Sequence, residues 1–357
     1  MSTPLLIDTG RSSDGWSYWG AATRCMQWFA YLYELHLDMI PGDALTRGSL
    51  GHVLQAHQHA IWGARQAGGC YVGTDAGVVL VTDPDQVLPP EEAAREWCRL
   101  QEDEPAALEQ LPRMIEVFRA VLASRPEPPG EILWVEVPVT GVLGHRLRWM
   151  EEDSVTGVLG HQNEEFGLWV VNGSAGGAGR YRTLEGEHVV PKLVVGPELA
   201  SPTPASAREV LISRRWDLVV RHNGLVFVDD HKHTGAFEPG RAVDAYAMDG
   251  AMAANRIMAR QIFPDFRGVR LNLIETKPPF RSARVTPAPT PWRDRLFARQ
   301  VWDMAQTIAR LRAEGRDPWA WPMAQEERTC YTRYGPCAGM ALCAGGPDAL
   351  AEQQKRA

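Results

Sequence analysis

The sequence predicts an α/β protein with a mixed central sheet flanked by helices. Apolar and aromatic residues recur at helical spacing over residues 17–39, and a second long helix is predicted over 291–313. Between them lie short apolar runs with the length and composition of strands. The order of helix, strands, helix and strand is typical of a mixed sheet covered by helices.

The first part, residues 1–130, is predicted to be mostly helical. Pro41-Gly42 ends the first helix, and Thr46 or Ser49 can begin a second one that runs to about residue 67. A strand is predicted over 78–81, and Pro89-Pro90 begins an acidic helical stretch that reaches about residue 123.

The middle part, residues 131–290, carries the predicted core of the sheet. Strands are predicted over 132–142, 210–220, 224–229 and 269–276, and a helix over 243–262. Residues 141–207 form an irregular insertion. Its repeated VTGVLGH segments, at 139–145 and 155–161, are interpreted as two successive hairpin strands. The last part, residues 291–357, combines the long helix with a cysteine-containing tail.

Composition and charge restrict the class of protein. The fraction of apolar residues is 45%, enough for a sizeable core. No apolar run reaches the roughly 18 residues of a membrane helix, and no signal peptide is evident, so we expect a cytoplasmic protein without membrane partners. No Walker-type phosphate-binding motif is present, which excludes an ATP-driven helicase.

Charge is distributed unevenly along the chain. The net charge is −7, yet residues 208–316 contain 19 Lys and Arg against 12 Asp and Glu, a local charge of +7. Attraction to phosphates depends on the local field, so this region is compatible with DNA binding. Arginine-rich helix faces that are simply solvated are an equally good explanation of the charge alone.

A hairpin with acidic and basic ends is the central chemical signal. Asn223-Gly224 supplies the turn, Asp217 lies on one strand, and Asp230 and Lys232 lie two apart on the other. Period-two alternation puts Asp230 and Lys232 on one face and His231 on the opposite face. Converging carboxylates favour a hard dication such as Mg²⁺ or Mn²⁺, beside which a lysine can orient water or offset phosphate charge. An ordinary hairpin with a charged end is the alternative.

These residues resemble the motifs of the PD-(D/E)XK nuclease superfamily, especially its RecB-like exonucleases of tailed phages. Gly48-Ser49-Leu50-Gly51-His52 resembles the helical first motif of that family. The resemblance implies a restriction-endonuclease-like core, with Asp217, Asp230 and His52 as metal ligands and Asp217, Asp230 and Lys232 as catalytic residues. Glu136 resembles a further acidic position, and a solvated strand residue is an equally good interpretation of it. A helix-surface histidine is the alternative for His52, because His57 and His59 are close by.

The cysteines give a second part of the resemblance. Cys330, Cys337 and Cys343 lie within fourteen residues, a spacing that suits one soft metal centre with a fourth ligand elsewhere. The tail and Cys25, ahead of the first motif, resemble the iron–sulfur positions of AddB-like and CRISPR-associated relatives. The resemblance implies a [4Fe-4S] cluster held by these four cysteines, with Zn²⁺ as the alternative. Cys70 and Cys98 are expected to be ordinary small apolar residues.

The resemblance implies a DNA exonuclease of recombination or repair that acts on DNA ends or single strands. The expected location is the cytoplasm, which is that of the host if the protein is encoded by a phage. One departure limits this expectation, because Ala251 and Asn255 stand where the family has Gln and Tyr. Asp249 or Asn255 could compensate. The alternatives are a catalytically weak DNA-binding relative, or a partner subunit of a nuclease, helicase or integrase complex.

Overall fold

A computed structural model confirms the α/β class, with one mixed open sheet flanked by helices. The described residues are 5–7, 22, 25–37, 43–74, 77–101, 104–148, 163–172, 180–183, 186–189, 209–247, 249–287, 291–324, 331–332, 335–337, 339, 342–347 and 349.

Besides a short helical stretch over residues 342–347, the described ranges contain seven helices of four residues or more. They are α1 (Met26–Phe29, continued by a π-helical turn over Ala30–Glu34), α2 (Asp43–Ala64), α3 (Pro90–Arg99), α4 (Glu104–Ser124), α5 (Pro239–Ala247), α6 (Gly250–Ile262) and α7 (Pro291–Ala313). None of the helices in these ranges is both long and apolar enough to cross a membrane.

Twelve strands are described. They are β1 (Cys70–Thr74), β2 (Gly77–Val81), β3 (Glu131–Arg148), β4 (Asn163–Asn172), β5 (Arg180–Thr183), β6 (Gly186–Val189), β7 (Glu209–His222), β8 (Leu225–Thr234), β9 (Phe266–Glu275), β10 (Ser282–Val285), β11 (Tyr331–Thr332) and β12 (Gly335–Pro336).

The central sheet has the strand order β10-β9-β8-β7-β3-β1-β2, and β4 pairs with the far end of β3. The pairs β8–β9 and β1–β3 are parallel, whereas the remaining pairs of this sheet are antiparallel. β8 and β9 can be parallel because α5 and α6 carry the chain back across the sheet.

Helices cover both faces of the sheet. One core is formed by β3, β7, β8 and β9 with α1, α6 and α7. On the other face the apolar side chains of α2, α3 and α4 pack together and onto the sheet. The hairpin strands β7 and β8 are therefore covered from both sides, and Asp229, Asp230 and His231 of β8 lie inside the protein.

Several predicted elements are confirmed with shifted ends. The Asn223-Gly224 turn has positive φ at both residues, and the helix predicted over 291–313 is present as α7. The predicted helix over 243–262 is two helices, because Asp249 caps α6 with hydrogen bonds to two backbone N–H groups. The strands β1 and β10 were not predicted. The second VTGVLGH copy lies outside the described residues.

Candidate metal centre

β3 reverses the direction of its side chains at Glu136. Val135 packs in the core beside α2, whereas Val137, two residues later, packs in the core on the other face. In a regular strand both side chains would face the same side. Glu136 adopts a φ of +52°, and a Cβ on Gly73 of β1 would collide with its carbonyl oxygen. This left-handed conformation is unfavourable for a residue with a side chain, so the surrounding structure must hold Glu136 in it.

The alternation of side chains along the neighbouring strand β7 is interrupted at Asp217. Leu218 packs with the α2 side and Trp216 with the α6 side. The last described pair of the β7–β8 ladder is Leu218 with Asp229, and beyond it Asp217 Oδ2 accepts a hydrogen bond of 2.6 Å from the backbone N–H of His231. The Asp217 carboxylate thus lies where β7 and β8 separate.

His52 completes a group of three possible ligands. Its Nδ1 lies 3.5 Å from Asp217 Oδ2 and 3.9 Å from Glu136 Oε1. One ligand atom from each of His52, Glu136 and Asp217 lies within 4.8 Å of the others, close enough for one metal ion. Gly51 leaves space for the imidazole of His233, which packs edge-on against the His52 ring at 5.7 Å.

Burial and mutual charge shift the titration of all three groups. Burial raises the pKa of Glu136 to about 7 and also raises the pKa of Asp217. Burial alone would lower the pKa of His52, but the charges of Asp217 and Glu136 outweigh it and raise this pKa to about 9. Two buried carboxylates around a shared point are the environment in which a dication replaces a proton.

Asp230 and Lys232 lie beside this group and not in it. Lys232 Nζ is 2.5 Å from Asp230 Oδ2, and a guanidinium nitrogen of Arg214 is 3.8 Å from Oδ1. Burial would lower the pKa of Lys232, but Asp230 and Asp217 outweigh this and raise it. The sequence grouped His52 with Asp217 and Asp230, whereas the structure groups Glu136 with His52 and Asp217.

Asn255 supports the position of Arg214. Its side-chain oxygen accepts hydrogen bonds from Arg214 Nε at 2.9 Å and from Trp216 Nε1 at 3.1 Å. Asp249 serves instead as a helix cap, and Ala251 is buried in the core. Of the two polar residues considered as compensating, only Asn255 therefore connects to the site.

The other histidines of α2 are not surface residues. His57 Nε2 accepts from the backbone N–H of Ile7, its Nδ1 lies 2.9 Å from the Leu88 carbonyl oxygen, and its side chain is buried. His59 is also buried and stacks on His231 with ring centroids 5.2 Å apart. The interpretation of this helix as one carrying several surface histidines is wrong.

The cysteine ligands are only partly described. Tyr31 donates a hydrogen bond to Cys343 Sγ at 3.6 Å, and nearby Cys25 helps to raise the pKa of this tyrosine, after burial and Cys343. No disulfide joins the described cysteines, and the sulfur atoms of Cys25, Cys337 and Cys343 do not all lie within 4.8 Å of one another. Cys330 lies outside the described residues. This donor set suits a soft metal, but the described positions do not form a closed site. Cys70 and Cys98 are buried, as expected.

Comparison with known proteins gives no further information on this site, because no family model, curated protein or solved structure matches the chain.

Proposed function

We propose that this protein is a metal-dependent DNA nuclease, with exonuclease action on DNA ends or single strands as the expected mode. The observation that carries the proposal is the convergence of His52, Glu136 and Asp217 on one point, beside the Asp230–Lys232 pair. Two neighbouring strands break their regular alternation there, as expected where backbone geometry is set by a site rather than by packing.

His52, Glu136 and Asp217 would hold Mg²⁺ or Mn²⁺, and the imidazole favours Mn²⁺. Such an ion polarises a phosphodiester and lowers the pKa of a water molecule. Lys232 is partly exposed, so its ammonium can offset charge that develops on the phosphate. Arg214 and Lys232 contact Asp230 from two sides, which fixes this carboxylate beside the ligands.

Substitutions of the proposed site test the proposal directly. Asp217→Asn, Asp230→Asn and Lys232→Ala should each reduce cleavage of end-labelled DNA by at least ~100-fold, because each removes a charge used in metal or transition-state binding. Asp303→Asn, an exposed carboxylate of α7, is the matched control and should cleave normally. DNA binding measured in chelator should persist in all four variants. Wild-type cleavage by any of the three site variants would contradict the assignment.

A catalytically weak DNA-binding protein, or a partner subunit of a nuclease, helicase or integrase complex, is the second candidate. Ala251 favours this second candidate, because its buried methyl group stands where the family that the sequence resembles has a glutamine. The same assay separates the candidates. Binding without cleavage in Mn²⁺ supports the second one, and loss of cleavage on adding chelator supports the first.

We further propose that Cys25, Cys330, Cys337 and Cys343 bind a [4Fe-4S] cluster, with Zn²⁺ as the alternative. The packing of α1 against the C-terminal segment supports it by bringing Cys25 and Cys343 to the same tyrosine. Protein partners in DNA recombination or repair remain an expectation from the resemblance.

A further inference from the structure

A second charged cluster lies behind the candidate metal centre, on the face of the sheet covered by α2 and α4. Asp229 is fully buried and accepts two hydrogen bonds from Arg270, at 2.6 and 2.8 Å. Arg284 of the edge strand β10 brings a second guanidinium to 3.6 Å from the same carboxylate. The bidentate bond to Arg270 already neutralises Asp229, so the charge of Arg284 is not fully offset.

Arg125 adds a third guanidinium through Asn272. Its Nη1 donates to the Asn272 side-chain oxygen at 3.0 Å, and the Asn272 amide nitrogen lies 3.0 Å from His231 Nδ1. Because the amide oxygen accepts from Arg125, the amide nitrogen must donate to Nδ1. The proton of a neutral His231 is therefore on Nε2.

One open cleft is lined by Arg125, Arg284, Asn272 and His59. Its empty volume, counted together with the solvent at its mouth, is about 360 Å³. Its lining also includes the exposed Glu127, which makes no ion pair with a described residue. Two buried nitrogens at or next to the cleft, His59 Nδ1 and His231 Nε2, have no hydrogen-bond partner within the described ranges, and Arg284 Nε has only its 3.6 Å ion pair with Asp229 there. His59 itself is only 3% exposed, so this is an unsatisfied polar group inside the protein.

We propose that this cleft binds an oxyanion of the phosphate class, held at its mouth between Arg125 and Arg284. The enclosed part has room for about one water molecule, so the anion contacts the guanidinium groups and not the cleft floor. The guanidinium groups of Arg125, Arg270 and Arg284 outnumber the carboxylates of Asp229 and Glu127 by one, so the cleft keeps a positive charge that attracts an anion. Burial lowers the pKa of Arg284 to about 10, with Asp229 acting against this shift and Arg125 and Arg270 adding to it.

This inference is independent of the nuclease proposal, and its test is run in chelator so that the metal centre cannot hold phosphate. Inorganic phosphate should raise the melting temperature of the full chain more than sodium chloride at equal ionic strength. Calorimetric titration with phosphate should give saturable binding. Arg125→Gln and Arg284→Gln should each weaken that binding by ~10-fold or more, because each removes a charged donor.

Arg299→Gln is the matched control, because Arg299 is an exposed arginine of α7 whose ion pair within the described part of the chain is with Asp303. It should bind phosphate as the wild type does. If Arg284→Gln fails to fold, Arg125→Gln decides, since Arg125 follows the end of α4 and lies outside the sheet. Equal stabilisation by phosphate and chloride, or wild-type affinity in a folded Arg125→Gln variant, would overturn the inference.

The source of the phosphate is separated by competition. A short oligonucleotide with a 5′-phosphate should displace inorganic phosphate more effectively than the same oligonucleotide with a 5′-hydroxyl, if a nucleic-acid terminus is the natural ligand. Equal displacement by both oligonucleotides assigns the cleft to free phosphate or a small phosphate ester, and the site itself stands in either case.

Discussion

At the scale of single residues, burial determines the chemistry of the metal centre as much as charge does. Glu136 is 3% exposed, and its carboxylate lies beside the partly buried carboxylate of Asp217. Without a metal ion, protonated His52 is the group that offsets these charges. Metal binding must therefore displace a proton, since only a neutral imidazole can be a ligand.

Binding of Mn²⁺ should thus release more than one proton near pH 7, because His52 is still charged there and Glu136 is partly protonated. Because the pKa of His52 is about 9 and that of Glu136 about 7, affinity for Mn²⁺ should rise with pH across this interval. Calorimetry in two buffers of different ionisation enthalpy measures the release. His52→Gln should lower the release by about one proton, and pH-independent affinity of the wild type would exclude His52 as a ligand.

His57 gives a stability prediction away from the metal centre. Burial lowers its pKa to about 4, so the folded protein prefers the neutral imidazole. This contribution, at most about 3 kcal/mol, is fully present above the unfolded pKa of about 6.5 and is lost as the pH falls toward 4. Unfolding by urea should show that His57→Gln is less stable at neutral pH but loses less stability on acidification. The exposed His222→Gln should retain the wild-type slope.

Much of the site could be predicted from residue patterns. The alternation of β8 correctly separated Asp230 and Lys232 from His231, because period-two geometry holds along this strand. The role of Glu136 could not be decided, because its left-handed conformation depends on Gly73 of a neighbouring strand. The available signal was a lone carboxylate inside the apolar run of 132–139.

At the scale of elements, two glycines of α2 close to His52 have different surroundings. A Cβ at Gly48 would meet open space, whereas a Cβ at Gly51 would overlap the imidazole of His233. Of these two glycines, the packing therefore requires only Gly51.

Gly48→Ala should therefore stabilise the protein by about 0.5–1 kcal/mol, because alanine is the better helix former. Gly51→Ala should instead destabilise it by about 1–3 kcal/mol, because the ring of His233 must move. Since His233 packs on His52, Gly51→Ala should also weaken Mn²⁺ binding. Denaturant unfolding and metal titration of both variants check this pair. Equal effects of the two substitutions would show that His233 does not constrain the helix.

The sequence patterns missed short strands whose formation depends on pairing with neighbouring strands. β1 is only five residues long and contains Gly73, which is unfavourable in an isolated strand, yet it pairs with both β2 and β3. β10 is four residues long and contains a buried charge, Arg284, so it lacks an apolar signature. The longer elements α2, α7, β7 and β8 were predictable because their patterns extend over several turns or pleats.

At the scale of the whole molecule, the N-terminal and C-terminal parts are packed together. The Gln27 backbone N–H donates to the Pro322 carbonyl oxygen at 3.0 Å, and the Gln27 side-chain amide donates to the Pro318 carbonyl oxygen at 2.8 Å. Phe29 stacks on Trp321 with ring centroids 6.1 Å apart, and Arg312 forms an ion pair with Glu34. These contacts hold the segment after Cys25 against residues 312–322 without the help of a metal.

A cluster at this junction would link parts of the chain about three hundred residues apart, so its loss should affect the whole fold. Cys25→Ala should remove the broad absorption near ~400 nm that an iron–sulfur centre gives, and should lower the melting temperature. Cys98→Ala, a buried cysteine on α3 far along the chain from the tail, is the control and should retain the absorption. Metal analysis should find about four irons per chain. One zinc without iron would refute the cluster but not the nuclease, because His52, Glu136 and Asp217 contribute no ligand to the cysteine site.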